Sequence, residues 1–245
     1  MTLAEAIAVA LAGFAAGGVN TIVGSGSLIT FPTLLAVGYP PVVANVSNTI
    51  GLVPGGASAV IGYRRELRGQ WRRALVLACG TTGGALLGGI LLLELPESVF
   101  DAVVPVLILL ACVLMAIRRT PDKHADTEHT TAGTVASFST GIYGGYFGAA
   151  QGIILMSLLR FCFPDELQRL NAIKIVLTAV ANGVAALLFI VVADVAWQAA
   201  ALIAAGSIVG AQVAARYGRR IPSEVLRWIV VIGGGIVAVV LLVTR

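Results

Sequence analysis

The sequence predicts an all-α polytopic membrane protein made of two inverted-topology repeats. Hydrophobic residues form 58% of the 245 residues and charged residues 11%, whereas about a quarter of a soluble domain is charged. The chain also matches itself at one offset, 126 residues, across residue types too uncommon to agree by chance. The matching pairs are Gly18 and Gly144, Gly26 and Gly152, Asn45 and Asn171, Trp71 and Trp197, Gly80 and Gly206, Gly84 and Gly210, and Pro96 and Pro222.

Each repeat divides into four apolar blocks. Repeat one, residues 1–117, has blocks at 3–38, 41–62, 73–95 and 97–117, and repeat two, residues 131–245, has blocks at 131–163, 167–193, 196–216 and 222–243. The segment 118–130 is the one long polar stretch. Its proline, charges and threonines predict a surface linker between the repeats.

Lys and Arg residues indicate the orientation of the blocks, because they are enriched in the cytoplasmic loops of membrane proteins. The loops around Glu94–Glu97 and Asp194 contain neither residue type and are expected outside the cell. The basic segments expected in the cytoplasm are 63–73, 118–123, 160–169 and 216–220.

Block 131–163 lies between two of these cytoplasmic segments, so it must enter and leave the membrane on one side. It has 33 residues with glycines at its centre, whereas one full crossing needs about 20 residues. We therefore expect a re-entrant hairpin of two short helices, and block 3–38 has the same design. A hairpin and three crossings per repeat would invert the second repeat. Eight plain crossings, with both repeats the same way up, are the alternative.

The glycine-rich centres of these two blocks, 24–27 and 148–152, are predicted to be helix breaks. Short helices should follow them at Leu28–Ala36 and Ile153–Leu159. Free N–H groups at a helix start attract an anion, and Ser27 could cap the first of the two helices. The alternative is that the glycines only allow close helix packing. The candidate substrate-binding residues here are Asn20, Gly24, Ser25, Gly26, Ser27, Gly148, Gln151 and Gly152.

A polar stripe in the following block supplies further candidates. Asn45 and Asn48 share a helix face, as do their equivalents Asn171 and Lys174, and Asn182 continues the second stripe. Lys174 is the one Lys or Arg well inside an apolar block, which predicts a counter-charge for an anionic substrate. Alternatively, it lies roughly 10 Å from the 160–169 loop and could snorkel to the interface.

Other chemistry is not expected. The three cysteines stand singly, without metal-ligand spacing, and both histidines, His124 and His129, lie in the linker. An intramembrane hydrolase would need an embedded base, so we expect neither an enzyme nor a cofactor or metal. The net charge of +4 belongs to the loops and reflects topology rather than nucleic-acid binding. The aromatic residues Tyr143, Tyr146 and Phe147 could line a substrate path or simply pack.

At these residues the chain resembles the sulfite exporter TauE/SafE family of bacterial membrane proteins. The resemblance lies in segments 13–49, 54–67, 141–153 and 171–183 and extends over nearly the whole chain. It implies a permease for small sulfur oxyanions such as sulfite or sulfonates. Two departures are the GSGS sequence at 24–27, where family members usually have a longer glycine run, and Ser47, where many have Thr.

We therefore expect a secondary transporter of a small sulfur-containing oxyanion, working by alternating access in the bacterial inner membrane. The linker would be cytoplasmic and both termini outside. When the cell interior is negative, the membrane potential favours outward movement of one negative charge by about 2.3 kcal/mol per 100 mV. This favours export. The alternatives are an anion channel and an importer of another organic anion such as a carboxylate. The partners are the substrate anion and the lipid bilayer, and the oligomeric state, monomer or homodimer, is left open.

Overall fold

The computed structural model describes residues 1–116 and 127–217, which form nine α-helices. The predicted last span, 222–243, most of the linker and the C-terminus lie outside these described residues. The helices are α1 (Leu3–Ile22), α2 (Ser27–Ala36), α3 (Pro41–Gly62), α4 (Trp71–Glu94), α5 (Glu97–Ala116), α6 (Thr130–Tyr146), α7 (Gln151–Cys162), α8 (Leu167–Val192) and α9 (Trp197–Tyr217).

Four of the described helices, α1, α4, α8 and α9, are long and apolar enough to cross a membrane. Their outer faces carry exposed aliphatic side chains, such as Leu187 at 70% and Val191 at 81% exposure, which lipid would cover. Two further apolar helices, α2 and α7, have only 10 and 12 residues. The protein is therefore an all-helical membrane protein in the part described.

The helix boundaries differ from the expected ones at the two breaks. Helix α2 begins at Ser27 and α7 at Gln151, so Gln151 and Gly152 belong to a helix rather than to a break. The hairpins are also unequal. Helices α1 and α6 have 20 and 17 residues, so each block has one long and one short arm instead of two short helices. At about 1.5 Å per residue, α1 is about 30 Å long.

The first helix of each repeat packs along the helix formed by the third block of the other repeat. Helix α1 contacts α9, with Gly13 against Ile203 and Gly17 against Ser207, so these two helices run in the same direction. Helix α6 contacts α4 in the same way. There Gly80 faces Thr134, Gly84 faces Phe138 and Gly88 faces Ile142. The glycines allow the backbones to approach closely, as small residues do in membrane helix pairs.

The remaining contacts give the direction of the other long helices. Helix α3 runs in the same direction as α9, because Gly51 faces Ile203 and Gly55 faces Ser207. Helix α4 runs with α8, because its start lies near Arg169 and its Gly89 faces Phe189. Since the short segment 63–70 reverses the chain between α3 and α4, helices α1, α3 and α9 run one way. Helices α4, α6 and α8 run the opposite way.

One end of the helix bundle gathers the basic segment 63–73, residues 127–130 and residues 163–169, and we call it the basic end. The Arg73 guanidinium pairs with Glu128 at 3.0 Å and with Asp165, and lies 4.7 Å from the centre of the Phe163 ring. The N–H of His129 donates to the Cys162 carbonyl at 2.9 Å. Helix α6 therefore begins where α7 ends, and the two form a hairpin.

Candidate functional site

The breaks in the two repeats touch each other. The chain turns between α1 and α2 with Gly24 at φ +89°, and between α6 and α7 with Gly148 at +74°, a region that glycine adopts readily. The N–H of Gly152 donates to the Gly24 carbonyl at 3.0 Å. A Cβ on Gly24 would lie 2.5 Å from the Gly152 Cα. No side chain fits between the two backbones.

Each repeat also supplies an asparagine to the broken helix of the other. The Asn45 side chain donates from Nδ2 to the Tyr146 carbonyl, the last of α6, at 3.0 Å. Its equivalent, Asn171, donates to the Thr21 carbonyl in the last turn of α1 at 3.4 Å. The last carbonyls of a helix have no intrahelical donor, so Asn45 satisfies a carbonyl that a buried break would otherwise leave unpaired, and Asn171 helps to satisfy another.

Lys174 serves the same helix end as Asn171. Its side chain is 1% exposed, and its Nζ lies 3.5 Å from the Thr21 carbonyl oxygen and 3.4 Å from that of Ile22. The ammonium therefore lies at the negative end of the α1 dipole, where a cation is stabilised. The side chain turns toward α1 and does not reach the surface as a snorkelling lysine would. Its Nζ is buried and held by two backbone carbonyls.

Asn48, which corresponds to Lys174, contacts its own repeat instead. Its Nδ2 donates to the Ser27 hydroxyl at 3.1 Å, and its Oδ1 accepts from the Thr30 hydroxyl. The expectation that Ser27 caps α2 is wrong, because the N-cap is Gly26 and α2 has no side-chain cap. Ser27 is the first helical residue and joins α2 to α3. Thr30 was not predicted, because a threonine within an apolar helix carries no distinct signal.

Several of the predicted anion donors are already engaged within the protein. The N–H groups of Leu28 and Ile29 bond the carbonyls of Ser25 and Gly26. The Gln151 side chain donates to the Thr140 carbonyl at 3.1 Å. Ser25 differs, because it is 1% exposed and its hydroxyl has no partner in the described part of the chain. A buried hydroxyl without a partner is unfavourable, so Ser25 offers a free donor at the first break.

A small cavity lies beside the end of α1. Its volume is about 10 Å³, which is room for about one water molecule, so an oxyanion does not fit in this conformation. Asn20 is the one predicted site residue in its wall, and the carbonyl of Thr21, also in the wall, accepts from Lys174. The lining residues are Gly17, Asn20, Thr21, Leu52, Gly55, Gly56, Ala59, Ile175 and Thr178.

Aromatic side chains occupy the equivalent place in repeat two. At the 126-residue offset, Tyr143, Tyr146 and Phe147 stand where repeat one has Gly17, Asn20 and Thr21. The Phe147 ring packs edge-on against Phe31 at 5.3 Å and against Phe100 at 6.1 Å, and Tyr146 lies 5.8 Å from Phe100. We call the four residues Phe31, Phe100, Tyr146 and Phe147 the aromatic cluster.

One predicted residue remains apart from these contacts. Asn182 is partly buried on α8, and its side chain makes no hydrogen bond to the described residues. Gly148 shapes the second break through its positive φ. Of the aromatic cluster, the sequence indicates only Tyr146 and Phe147 as candidates. Phe31 and Phe100 come from other blocks, and no sequence spacing connects them to the break.

The chain is similar to a known family and to several bacterial proteins. The family model described as "Sulfite exporter TauE/SafE" matches residues 9–241. A "Probable membrane transporter protein" of Haemophilus influenzae is 28% identical, over 83% of this chain and 81% of its own length. "Probable membrane transporter protein YfcA" of Escherichia coli K12 is 27% identical, over 93% and 86%. "Probable membrane transporter protein ORF9" of a Sinorhizobium species is 26% identical, over 91% and 86%. No solved structure matches.

Proposed function

Because the chain belongs to the TauE/SafE sulfite exporter family, we propose that this membrane transporter exports a small sulfur-containing oxyanion, such as sulfite or an organosulfonate, by alternating access. The main support for this mechanism is the contact between the broken helices of the two repeats at Gly24 and Gly152. In secondary transporters, discontinuous helices at the repeat interface form the substrate site.

We further propose that the repeats have inverted topology. Helix directions support this, because α1, α3 and α4 run opposite to their equivalents α6, α8 and α9. The hydrogen bond between His129 and Cys162 supports it as well, since block 131–163 then begins and ends at the basic end. With the basic end in the cytoplasm, the linker would be cytoplasmic and the N-terminus outside.

The proposed substrate site lies between the Ser25 hydroxyl and the Lys174 ammonium, at the end of α1. Without substrate, the ammonium is balanced by the carbonyls of Thr21 and Ile22. A singly or doubly charged oxyanion would attract the ammonium more strongly than neutral carbonyls do, since hydrogen bonds between ions are the stronger kind. Binding would then loosen the contact between α8 and the end of α1.

Alternating access is supported by the difference between the two sides of the breaks. The cavity includes Ala59 and Ile175, which lie toward the basic end, whereas the aromatic cluster includes Tyr146 at the opposite end of α6. In this conformation the aromatic side is closed by packed rings. Substrate would therefore load from the basic end, and an inside-negative potential would favour its outward release by about 2.3 kcal/mol per 100 mV for each charge.

Efflux from proteoliposomes tests the proposal. Wild-type protein is expected to give saturable sulfite efflux. Lys174→Met keeps the aliphatic stem, and we expect it to lower kcat/KM by about 10- to 100-fold, because a charge-assisted hydrogen bond is lost. Lys174→Arg serves as the control that keeps the charge. Melting temperatures measured in detergent show whether both variants fold.

Three results would contradict parts of this proposal. Efflux of a folded Lys174→Met variant at the wild-type rate would remove Lys174 from the site. Saturable transport of a carboxylate without transport of sulfite or sulfonates would overturn the substrate class. Unitary currents in a planar bilayer would indicate a channel rather than a carrier.

A further inference from the structure

Four arginines form an exposed surface at the basic end. The segment 63–73 contains five arginines, and Arg64, Arg65, Arg68 and Arg72 are exposed, whereas Arg73 turns inward. In the described part of the chain none of the four exposed arginines makes an ion pair or a side-chain hydrogen bond. We call these four residues the basic patch.

The segment that carries the basic patch is anchored to repeat two. Gln70 is 3% exposed, and its Nε2 donates to the carbonyls of Glu66 at 2.6 Å and Arg169 at 3.1 Å. Arg73 adds ion pairs to Glu128 and Asp165. The basic patch is therefore presented on a fixed support, and less ordering entropy opposes the binding of a partner.

The turns in this segment bring like charges together. The N–H of Arg64 bonds the Ile61 carbonyl, and the N–H of Arg68 bonds the Arg65 carbonyl, at 3.4 and 3.2 Å. Arg64, Arg65 and Arg68 thus follow one another closely along a segment of consecutive turns. Like charges at such spacing repel each other, and an anionic partner would relieve that repulsion.

The position beside Trp71 indicates what kind of anion binds. Trp71 begins α4, a helix long enough to span a membrane, and is 45% exposed. Exposed tryptophans at helix ends lie at the level of lipid head groups. Its equivalent, Trp197, is 57% exposed, but Asp194 and Gln198 replace the arginines 68 and 72 there. Arginines therefore lie beside Trp71 in the sequence but not beside Trp197.

We propose that the basic patch binds the phosphodiester head groups of anionic phospholipids, with Trp71 packed beside the lipid at the start of α4. Arginine suits this role because its planar guanidinium forms paired hydrogen bonds with phosphate oxygens. The proposal is independent of the transported substrate, because none of the four arginines contacts the breaks or the cavity.

Lipid retention by the full chain tests the proposal. The protein is purified in neutral detergent with phosphatidylglycerol or phosphatidylcholine, and bound lipids are counted by native mass spectrometry while Tm is recorded. We expect preferential retention of phosphatidylglycerol. The variant R64Q/R65Q/R68Q/R72Q should weaken that binding by about fivefold for each arginine removed, and raised salt should weaken the wild type.

The variant R64K/R65K/R68K/R72K is the matched control. It keeps the charges and should retain most of the binding, and an unchanged Tm in phosphatidylcholine shows that each variant folds. Equal retention of both lipids by the wild type, or undiminished phosphatidylglycerol binding by the glutamine variant, would overturn the proposal. A rise in Tm with inorganic phosphate equal to that with phosphatidylglycerol would also overturn it, since a soluble anion would then suffice.

Discussion

The breaks of the two repeats have similar backbone turns, but different side chains surround them. Each turns through a glycine of positive φ, and each receives an asparagine from the other repeat. The first break has a buried lysine and a small cavity, whereas the second has packed rings. The side chains therefore pack the second break more tightly than the first.

Under the proposed alternating-access mechanism this difference would matter, because a carrier with two identical sides would have no preferred resting conformation. The aromatic cluster would stabilise closure on its side through apolar burial and edge-on ring contacts. On the side of the cavity, Lys174 and the threonines of the wall are held in place by hydrogen bonds to backbone carbonyls. We therefore expect perturbation of the cluster to affect stability more than perturbation of the asparagine contacts.

The largest effect is expected where the two breaks meet. Gly24→Ala would place a Cβ 2.5 Å from the Gly152 Cα, on a residue with φ of +89°. Overpacking and a disfavoured φ together should lower the free energy of unfolding by about 4 kcal/mol. Thermal unfolding in detergent measures the change.

Gly183→Ala is the matched control for Gly24→Ala. Gly183 lies within α8, and nothing would lie within 4 Å of an added Cβ. Alanine is favoured over glycine inside a helix, so this variant should unfold at the wild-type temperature or slightly above it. If Gly24→Ala proved as stable as Gly183→Ala, the breaks would not be in contact.

A smaller effect is expected when the second break is made to resemble the first. Phe147→Thr introduces the residue type of position 21 and removes a buried ring that contacts Phe31 and Phe100. We expect a loss of about 3 kcal/mol in unfolding free energy and faster substrate leak from proteoliposomes. Phe161→Thr, at a phenylalanine that is 56% exposed, is the control. Equal melting temperatures of the two variants would show that the aromatic cluster does not close this side.

The helix breaks were predictable from sequence, because positive φ is a local property that glycine supplies. Gly24 and Gly148 both have it. The contact between Gly24 and Gly152 is tertiary, and the repeat alone indicated only that the breaks would be related. The predicted break includes Gln151, because nothing in the sequence indicates that Ala150, with φ of +59°, ends the break.

The roles of the polar residues were less predictable. Asn45, Asn171 and Lys174 were recognised as unusual in apolar helices, and all three are buried. Their partners are backbone carbonyls of distant helices. A carbonyl carries no residue-specific signal, so an amide or ammonium that caps a broken helix has the same sequence signature as one that binds a substrate.

The smallest difference is expected between the two asparagines. Asn45→Ala leaves the Tyr146 carbonyl without its side-chain donor, whereas after Asn171→Ala the Thr21 carbonyl keeps Lys174 at 3.5 Å. We expect losses in unfolding free energy of about 1–2 kcal/mol for Asn45→Ala and less than about 1 kcal/mol for Asn171→Ala. Adding Lys174→Met to Asn171→Ala removes both donors and should bring the loss to at least that of Asn45→Ala. Equal losses for the two single variants, or no further loss in the double variant, would mean that Lys174 does not support the end of α1.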